Sequence, residues 1–422
     1  MATTAARAQQ RALTISRGQW LGIIFLVSGF LTFVLFGRGL EPGLRTKFGL
    51  NPGFASQAIP IPDLVLPTQP TIYALVSVML LLGMLQLVRN FRFADALLGV
   101  VAFCFVFAFL TWAARGKSFN LVGMLGSSLV RATPIALAAL CGVMCERSGV
   151  VNIAIEGIML MSAQAAVVVA TVTKNLYIGL GAAILIGVII SAFHAAMAIS
   201  FKVNQIVSAT AINIFATGAT SFISARFLEK NIDLLNNSGT FRIISIPFFS
   251  KIPILGPIFF ENGPIVYLML ILTVLVHILL FYTSWGLRVR AVGEHPRAAD
   301  TLGINVYLVR YVSVILGGVI AGIGGAYFTI GSVGRFDEIM TAGKGFIGLA
   351  AMIFGKWAPF GAFASSLLFG FADSLQIKLQ ILRVPIPSEF LLMAPYIVTM
   401  IVLAGVVGKA VPPAADGEPY EK

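Results

Sequence analysis

Long apolar segments constrain this chain more than any other feature of its sequence. A helix needs about 20 predominantly apolar residues to cross a bilayer, and segments of that length recur from Trp20 almost to the end of the chain. Only 11% of the 422 residues are charged, against about 25% in a soluble globular domain. The chain is therefore predicted to be an integral membrane protein with an all-α, polytopic bundle of transmembrane helices.

Hydropathy predicts about 10–12 spans. The full-length ones are predicted at 20–37, 72–88, 93–113, 120–144, 151–172, 176–200, 205–225, 264–285, 305–330 and 388–408. Two shorter apolar pieces, 345–357 and 359–376, are separated by Lys356, Trp357, Ala358 and Pro359. The first is too short to cross upright, so a half-helix pair buried in protein is predicted near 345–376, where membranes tolerate such segments.

The charges in the loops predict an orientation in a cell (inner or plasma) membrane. Residues 1–19 contain three arginines and no acid, so the N-terminus is predicted to be cytoplasmic. Eight spans then place the loop 286–304, with three more arginines, in the cytoplasm. The net charge of +12 is scattered singly over loops, which suits anionic lipid headgroups. It forms no basic face, so no nucleic-acid partner is predicted.

The loop 286–304 is a polar segment between two long apolar ones. Gly293 is predicted to permit a turn, and Pro296 to begin a short helix because its φ is fixed and it has no N–H to lose. Residues 297–302 then form about two turns, closed by Gly303 at the C′ position. The predicted small apolar face consists of Ala298, Ala299 and Leu302. Such a face suits a groove on another protein; the alternative is an ordinary cytoplasmic loop.

Polar side chains within the spans form a second group of candidates. An ionisable group at membrane depth costs roughly 2.5–3.5 kcal/mol on insertion scales, and it usually faces a cavity or a partner. Asn152 and Glu156 have i,i+4 spacing, which predicts a common helix face. Together with Asn213 they are predicted to line a substrate pathway, although a structural helix–helix hydrogen bond is an equal alternative. Arg131 and Asp373 also lie within or beside apolar segments, and Asp373 is predicted to reach water.

No catalytic, cofactor or metal-binding motif is recognisable. Residues 116–118 read Gly-Lys-Ser, the ending of a nucleotide-binding P-loop, but Thr111 stands where the pattern GxxxxGK[ST] needs glycine. Cys141 and Cys145 have i,i+4 spacing but no His or acidic partner, so they are predicted to be buried small residues rather than metal ligands. The chain is predicted to have no cofactor and not to be an enzyme.

Three motifs in order resemble one family of membrane permeases. They are ERSGVVNIAIEGIM at 146–159, AVGEHPRAADTLGI at 291–304 and GKGFIGLAAMIFGKWAPFGAFASSLLFGFADSLQ at 343–376. Together they resemble the branched-chain amino acid, ribose and nucleoside permease family of ABC importers, most closely its nucleoside or simple-sugar branch. His295 departs from a common version of the second motif, where Asn is frequent.

The resemblance implies a domain plan and a set of partners. Residues 118–408 are the permease core with the cytoplasmic coupling loop 286–304; residues 1–117 are an N-terminal extension with two or three spans, and 409–422 a polar C-terminal tail. Two such permeases, identical or homologous, form the pore. A cytoplasmic ATPase subunit, which uses the ATP, docks on the coupling helix, and an extracytoplasmic substrate-binding protein delivers the solute. The coupling residues implied are Gly293, Glu294, Pro296, Arg297, Ala298, Ala299, Leu302 and Gly303.

Three functions remain open at this point. The first is a permease for nucleosides or simple sugars, because the scarcity of paired intramembrane charges fits a neutral solute. The second is an ABC permease for branched-chain amino acids, whose zwitterions call for half-helix termini or a charge pair; Glu156 alone provides no pair. The third is a membrane enzyme or scaffold, which needs a catalytic constellation or a signalling domain that the sequence does not show.

Overall fold

A computed structural model describes residues 16–54, 56–91, 93–387, 390, 393 and 410–421. Residues 1–15 of the predicted N-terminal extension and, apart from 390 and 393, the predicted span 388–408 lie outside the described residues. That last span therefore stays a prediction.

Within the described residues, ten helical segments are long and apolar enough to cross a membrane. The predicted all-α polytopic bundle is confirmed. The helices are α1 Arg17–Thr32, α2 Thr68–Arg89, α3 Ala94–Ala113, α4 Leu121–Glu146, α5 Ile155–Thr173, α6 Leu176–Ala195, α7 Gln205–Ile223, α8 Ile232–Leu235, α9 Leu255–Phe259, α10 Pro264–Tyr282, α11 Ser284–Glu294, α12 Pro296–Thr301, α13 Val306–Phe328, α14 Lys344–Phe354 and α15 Pro359–Ile381. Short π-helical turns continue α1, α6, α7 and α13.

The described residues divide into two compact units, of which the first lies within 1–53, 60–122 and 379–385. Its described part contains α1, α2 and α3 and a three-stranded sheet in the order β2-β1-β3. The strands are β1 Arg45–Gly49, β2 Leu64–Pro67 and β3 Ser118–Asn120. β1 pairs antiparallel with β2 and parallel with β3. Strands this short have no hydropathy signal, which is why the sequence does not predict them.

The described residues of the second unit lie within 54–59, 123–378 and 386–422 and hold the main apolar core. A two-stranded ribbon pairs β4 Ile244–Ser245 with β5 Glu261–Asn262. Helices α6 and α13 approach closely because glycines line their contact. A Cβ on Gly187 would stand 2.3 Å from the carbonyl oxygen of Gly318 and 3.0 Å from Cα of Gly322. Small residues at helix interfaces allow this kind of packing in membranes, where dispersion contacts replace the hydrophobic effect.

Five segments of the second unit meet at one end of its helices, which we call the polar end. Arg147 Nε donates to the carbonyl oxygen of Trp357 at 2.9 Å, and the amide of Val151 donates to Oε1 of Gln205 at 2.7 Å. The segments are 147–151, 201–205, 284–307, 355–358 and 410–421. Two spans separate the first segment from the second, and two more separate the second from the third, as an alternating membrane topology requires.

The predicted half-helix pair is one short and one long helix. α14 has 11 residues, which gives a length of about 16 Å. α15 has 23 residues, extends beyond the predicted 359–376 and counts among the ten spans. Lys356 and Trp357 make the turn between them with φ of +55° and +52°. The indole N–H of Trp357 donates to Glu146 Oε2 at 2.6 Å, which fixes that turn at the polar end.

Candidate functional site

The coupling segment, which we define as residues 284–305, begins with helix α11. Thr283 caps it, because its Oγ1 accepts the amide hydrogen of Gly286 at 3.0 Å. The prediction of a turn at Gly293 is wrong: Gly293 is helical and buried, and α11 continues to Glu294. A Cβ on Gly293 would stand 2.3 Å from the carbonyl oxygen of Arg147, so glycine is needed here for a close backbone approach. The chain turns at His295 instead, with φ −150° and ψ 81°.

Helix α12 begins at Pro296, as predicted, but has only six residues. Gly303, with φ +79°, follows it and donates its amide hydrogen to the carbonyl of Asp300 at 2.9 Å. Leu302 is therefore the C-cap of α12 and not part of it. A cleft of about 280 Å³ lies at this end of α12, lined by Asp300, Gly303, Ile304, Asn305, Val306 and Tyr307.

The predicted apolar face of α12 is only partly present. Ala299 is 3% exposed and belongs to the main core, because α12 lies against α11 and α13 on that side. Leu302, by contrast, is 82% exposed. The surface that this segment offers to a partner is formed by Glu294, Arg297, Ala298, Leu302 and Gly303, with Pro296 half-buried behind them.

Asn152 and Asn213 fix the start of α5. The prediction of one helix face for Asn152 and Glu156 is wrong, because α5 begins only at Ile155. Asn152 is buried; its Oδ1 accepts the amide hydrogen of Ala154 at 3.1 Å, and its Nδ2 lies 3.5 Å from Sγ of Cys145. Asn213 accepts the amide hydrogen of Gly157 at 2.8 Å and donates to the carbonyl of Ile153 at 3.0 Å. Both amides thus hold backbone groups at the beginning of α5.

The carboxylate of Glu156 caps the start of the short helix α14. Its Oε1 accepts hydrogen bonds from Thr341 Oγ1 at 2.6 Å and from the amide of Gly343 at 2.8 Å. Its Oε2 accepts the amide hydrogen of Gly345 at 2.7 Å. The first amides of a helix have no partner within the helix, and that end carries positive partial charge. Glu156 therefore neutralises the half-helix terminus, and it remains half-buried.

An intramembrane polar cluster joins three helices of the second unit. Oδ2 of Asp373 in α15 lies 3.4 Å from Nη1 of Arg131 in α4 and 3.2 Å from Nζ of Lys344 in α14. The exposed fraction of the side chain is 37% for Arg131, 23% for Lys344 and 22% for Asp373. Asp373 therefore does not simply reach water, and the predicted lack of paired intramembrane charges is wrong. Lys344 was missed because it stands at a loop–helix boundary, where a lysine is unremarkable.

Helix geometry places this cluster at membrane depth. Arg131 lies about 22 Å along α4 from Glu146, at about 1.5 Å per residue. Asp373 lies about 21 Å along α15 from Pro359 by the same measure. Both Glu146 and Pro359 adjoin the turn 355–358 at the polar end. The cluster is thus about 20 Å from the polar end, within helices long enough to cross a hydrocarbon layer of about 30 Å, and charged groups inside such spans usually mark a solute pathway.

The remaining candidates from the sequence are a metal site, the two cysteines and the Gly-Lys-Ser sequence. In the part of the chain that the structure describes, no group of three or more His, Cys, Asp or Glu residues is placed to hold a metal ion. Cys141 and Cys145 are buried free thiols, as predicted. Gly116, of the Gly-Lys-Ser sequence, makes a turn with φ +67° between α3 and β3. A P-loop would instead follow a strand and open a helix.

Comparisons with known proteins give matches over most of this chain. A family model described as branched-chain amino acid transport system / permease component matches residues 124–407. The guanosine ABC transporter permease protein NupQ of Bacillus subtilis is 43% identical over 312 residues, 70% of this chain and 95% of that protein. The nucleoside ABC transporter permease protein NupC of Lactococcus lactis is 41% identical over 312 residues, 71% of this chain and 96% of that protein. No solved structure matches the chain significantly.

Proposed function

Because the chain belongs to the branched-chain amino acid transport system permease family of ABC transporters, we propose that it is the pore-forming subunit of a nucleoside importer. Simple sugars are the second class of solute. The observation that carries this proposal is the similarity to permeases named for guanosine and nucleosides, which extends over more than nine-tenths of their length. As a permease subunit with ten candidate spans among its described residues, the chain is a multi-pass membrane protein.

The proposed mechanism is alternating access, driven by ATP on a separate subunit. ATP is bound by a separate ATPase subunit, which docks on the exposed surface of the coupling segment, with Leu302 at its centre. Two permease subunits enclose the pore, a substrate-binding protein delivers the solute, and the N-terminus lies in the cytoplasm. The solute shifts the equilibrium between the two access states only through its different affinities for them. The half-buried charges of Arg131, Lys344 and Asp373 support a solute site at membrane depth.

One observation favours a second candidate, a permease for branched-chain amino acids. A zwitterion needs a cation and an anion within reach of each other, and the cluster of Arg131, Lys344 and Asp373 supplies both. Against it, Glu156 already occupies the terminus of the half-helix α14, which is the group that would otherwise attract a carboxylate.

Uptake into proteoliposomes that contain the complete transporter separates these solutes. Labelled guanosine, uridine, ribose, glucose and leucine are presented with the substrate-binding protein, and ATP is supplied to the ATPase side. We expect saturable, ATP-dependent nucleoside uptake that other nucleosides compete with. Saturable leucine uptake without competition from nucleosides would overturn the proposed solute class and leave the amino acid permease in its place.

Leu302→Glu is expected to release the ATPase subunit and to abolish uptake. The side chain is 82% exposed, so the change leaves the fold intact, whereas in the docked complex it would bury an unpaired carboxylate. A loss of at least about 2 kcal/mol of binding free energy is expected, the level of a hot-spot residue. The measurement is the ATPase retained per permease after purification in detergent.

Leu255→Glu is the matched control for that change. Leu255 is 50% exposed in α9, in the connection between α7 and α10, away from the coupling segment. It should retain the ATPase fully. Ala299→Glu is unsuitable for this test, because Ala299 is buried and the change would disrupt the permease itself. Equal retention in Leu302→Glu and Leu255→Glu would show that docking does not use Leu302.

A further inference from the structure

The C-terminal strap, which we define as residues 410–421, crosses the polar end and bonds to the coupling segment. The amide of Ala415 donates to the carbonyl of Gly293 at 2.9 Å. The amide of Ala414 donates to Oε2 of Glu294 at 3.2 Å. The sequence predicts only a polar tail here. Two residues of the coupling segment are therefore held by a part of the chain that follows the last predicted span.

The other contacts of the strap reach transmembrane helices. Nη1 of Arg310, a 1% exposed residue of α13, donates to the carbonyl of Glu418 at 2.9 Å. The ring of Tyr420 is 5% exposed and packs edge-on against the ring of Tyr307 in α13, with centroids 5.5 Å apart. Beyond them, Lys202 Nζ lies 2.9 Å from Oε1 of Glu421. The strap thus links the coupling segment to α13 and to the connection between α6 and α7.

The crossing point between the strap and the loop after α4 depends on glycine on both sides. The amide of Gly417, with φ +77°, donates to the carbonyl of Gly149, with φ +84°, at 3.3 Å. A Cβ on Gly149 would stand 2.9 Å from the carbonyl oxygen of Ala415. Only glycine adopts these φ values without strain. The two glycines therefore allow the backbones of the loop and the strap to approach closely.

Charge complements this shape. The strap contributes the acids Asp416, Glu418 and Glu421, and the surface beneath it contributes Arg310 and Lys202. Burial raises the pKa of Asp416 to about 6, against the lowering effects of its hydrogen bond with Glu146 and of the Arg310 charge. The ion pair with Lys202 holds the pKa of Glu421 below its usual value. The strap is therefore held by acid–base contacts, with Asp416 and Glu418 near Arg310 and Glu421 on Lys202, although Asp416 also faces the carboxyl of Glu146.

We propose that the strap is a positioning element for energy coupling, which ties the coupling segment to α13 so that displacement of α11 and α12 moves the transmembrane helices. This inference rests on the proposed function. Helix α12 has six residues and is flanked by turns, and it also packs directly against α13. Coupling between distant sites is carried by contiguous contacts between elements. The strap adds a second route of this kind, from Gly293 and Glu294 to Arg310 and Tyr307.

The test compares the complete transporter in liposomes with a variant that lacks residues 410–422. The variant is expected to insert and to retain its ATPase, whose docking surface around Leu302 remains. Solute transported per ATP hydrolysed should fall by at least about fivefold, the lower end of typical coupling effects. Tyr420→Ala should lower the same ratio. Tyr420→Phe keeps the ring on Tyr307 and loses only the hydroxyl that contacts Asp300, so it should lower the ratio less. If the truncated chain fails to insert, the comparison of Tyr420→Ala with Tyr420→Phe still tests the coupling role of the strap.

A zero-length cross-link reports strap docking independently of transport. Carbodiimide should join Lys202 to Glu421, whose reacting atoms are 2.9 Å apart, and Glu421→Gln should abolish that link. Absence of the link in the intact transporter would overturn the proposal. An unchanged transport ratio in both the truncated and Tyr420→Ala variants would also overturn the proposal. A raised ratio would overturn it too, because the strap would then restrain transport and not couple it to ATP hydrolysis. Failure of nucleoside uptake in the intact transporter refutes only the proposed solute, because the cross-link and the retention of the ATPase can still be measured.

Discussion

Glu156→Ala is expected to destabilise the permease more than any other single change considered for this chain, and to abolish uptake with it. The change leaves the hydroxyl of Thr341 and the amides of Gly343 and Gly345 without their acceptor. Each buried donor left unsatisfied costs about 1–3 kcal/mol. The charge that balances the start of α14 is lost as well. The measurement is the thermal unfolding midpoint of the purified permease, together with uptake.

Glu156→Gln separates charge from shape at the same position. Its amide oxygen can keep the two bonds that Oε1 accepts, but its NH2 group then faces the amide hydrogen of Gly345, a donor against a donor. The loss of stability should therefore be intermediate. Glu338→Gln is the control, because Glu338 is exposed and lies three residues before Thr341. An unchanged midpoint in Glu156→Ala with lost uptake would contradict the capping role and indicate direct contact between Glu156 and the solute.

The spans could be predicted from the sequence because apolar length is a local property. The short helix α14 could be predicted for the same reason, since Lys356 and Pro359 interrupt the apolar segment at a fixed place. The interior of the coupling segment could not. Glycine suits a turn and a close backbone approach equally well, so only the neighbouring carbonyl of Arg147 explains why glycine stands at position 293 within a helix. Likewise, only contact with α11 and α13 decides that Ala299 of α12 faces inwards.

The contacts of Glu156 and Asp373 show the same limit at longer range. Glu156 and Thr341 are 185 residues apart, and Arg131 and Asp373 are 242 apart. The sequence predicts a cavity or a partner for ionisable residues within spans, which is correct for Glu156 and Arg131, whereas Asp373, predicted to reach water, has two partners instead. It could not identify the partners, because residues on different helices meet through packing and not through spacing. The roles of Asn152, Glu156 and Asn213 in a solute pathway stay predictions.

Asp373→Asn is expected to impair both membrane insertion and uptake. It leaves Arg131 and Lys344 close together at membrane depth without a counter-ion. Removing one partner of a buried ion pair costs about 3–5 kcal/mol, and the 22% exposure of Asp373 reduces that penalty. Asp373→Glu keeps the charge and should insert normally. The measurements are the amount of permease in membranes, its thermal unfolding midpoint and the KM for nucleoside uptake.

The double variant Asp373→Asn, Lys344→Gln distinguishes charge balance from solute contact. It removes one charge of each sign, so the net charge of the cluster returns to its original value, and insertion and thermal stability should recover. Uptake should not, because a solute site at this depth would still lack a carboxylate acceptor and an ammonium donor for the hydroxyl and base groups of a nucleoside. Full recovery of uptake and of KM would mean that the cluster only balances charge, and that the solute passes elsewhere in the bundle.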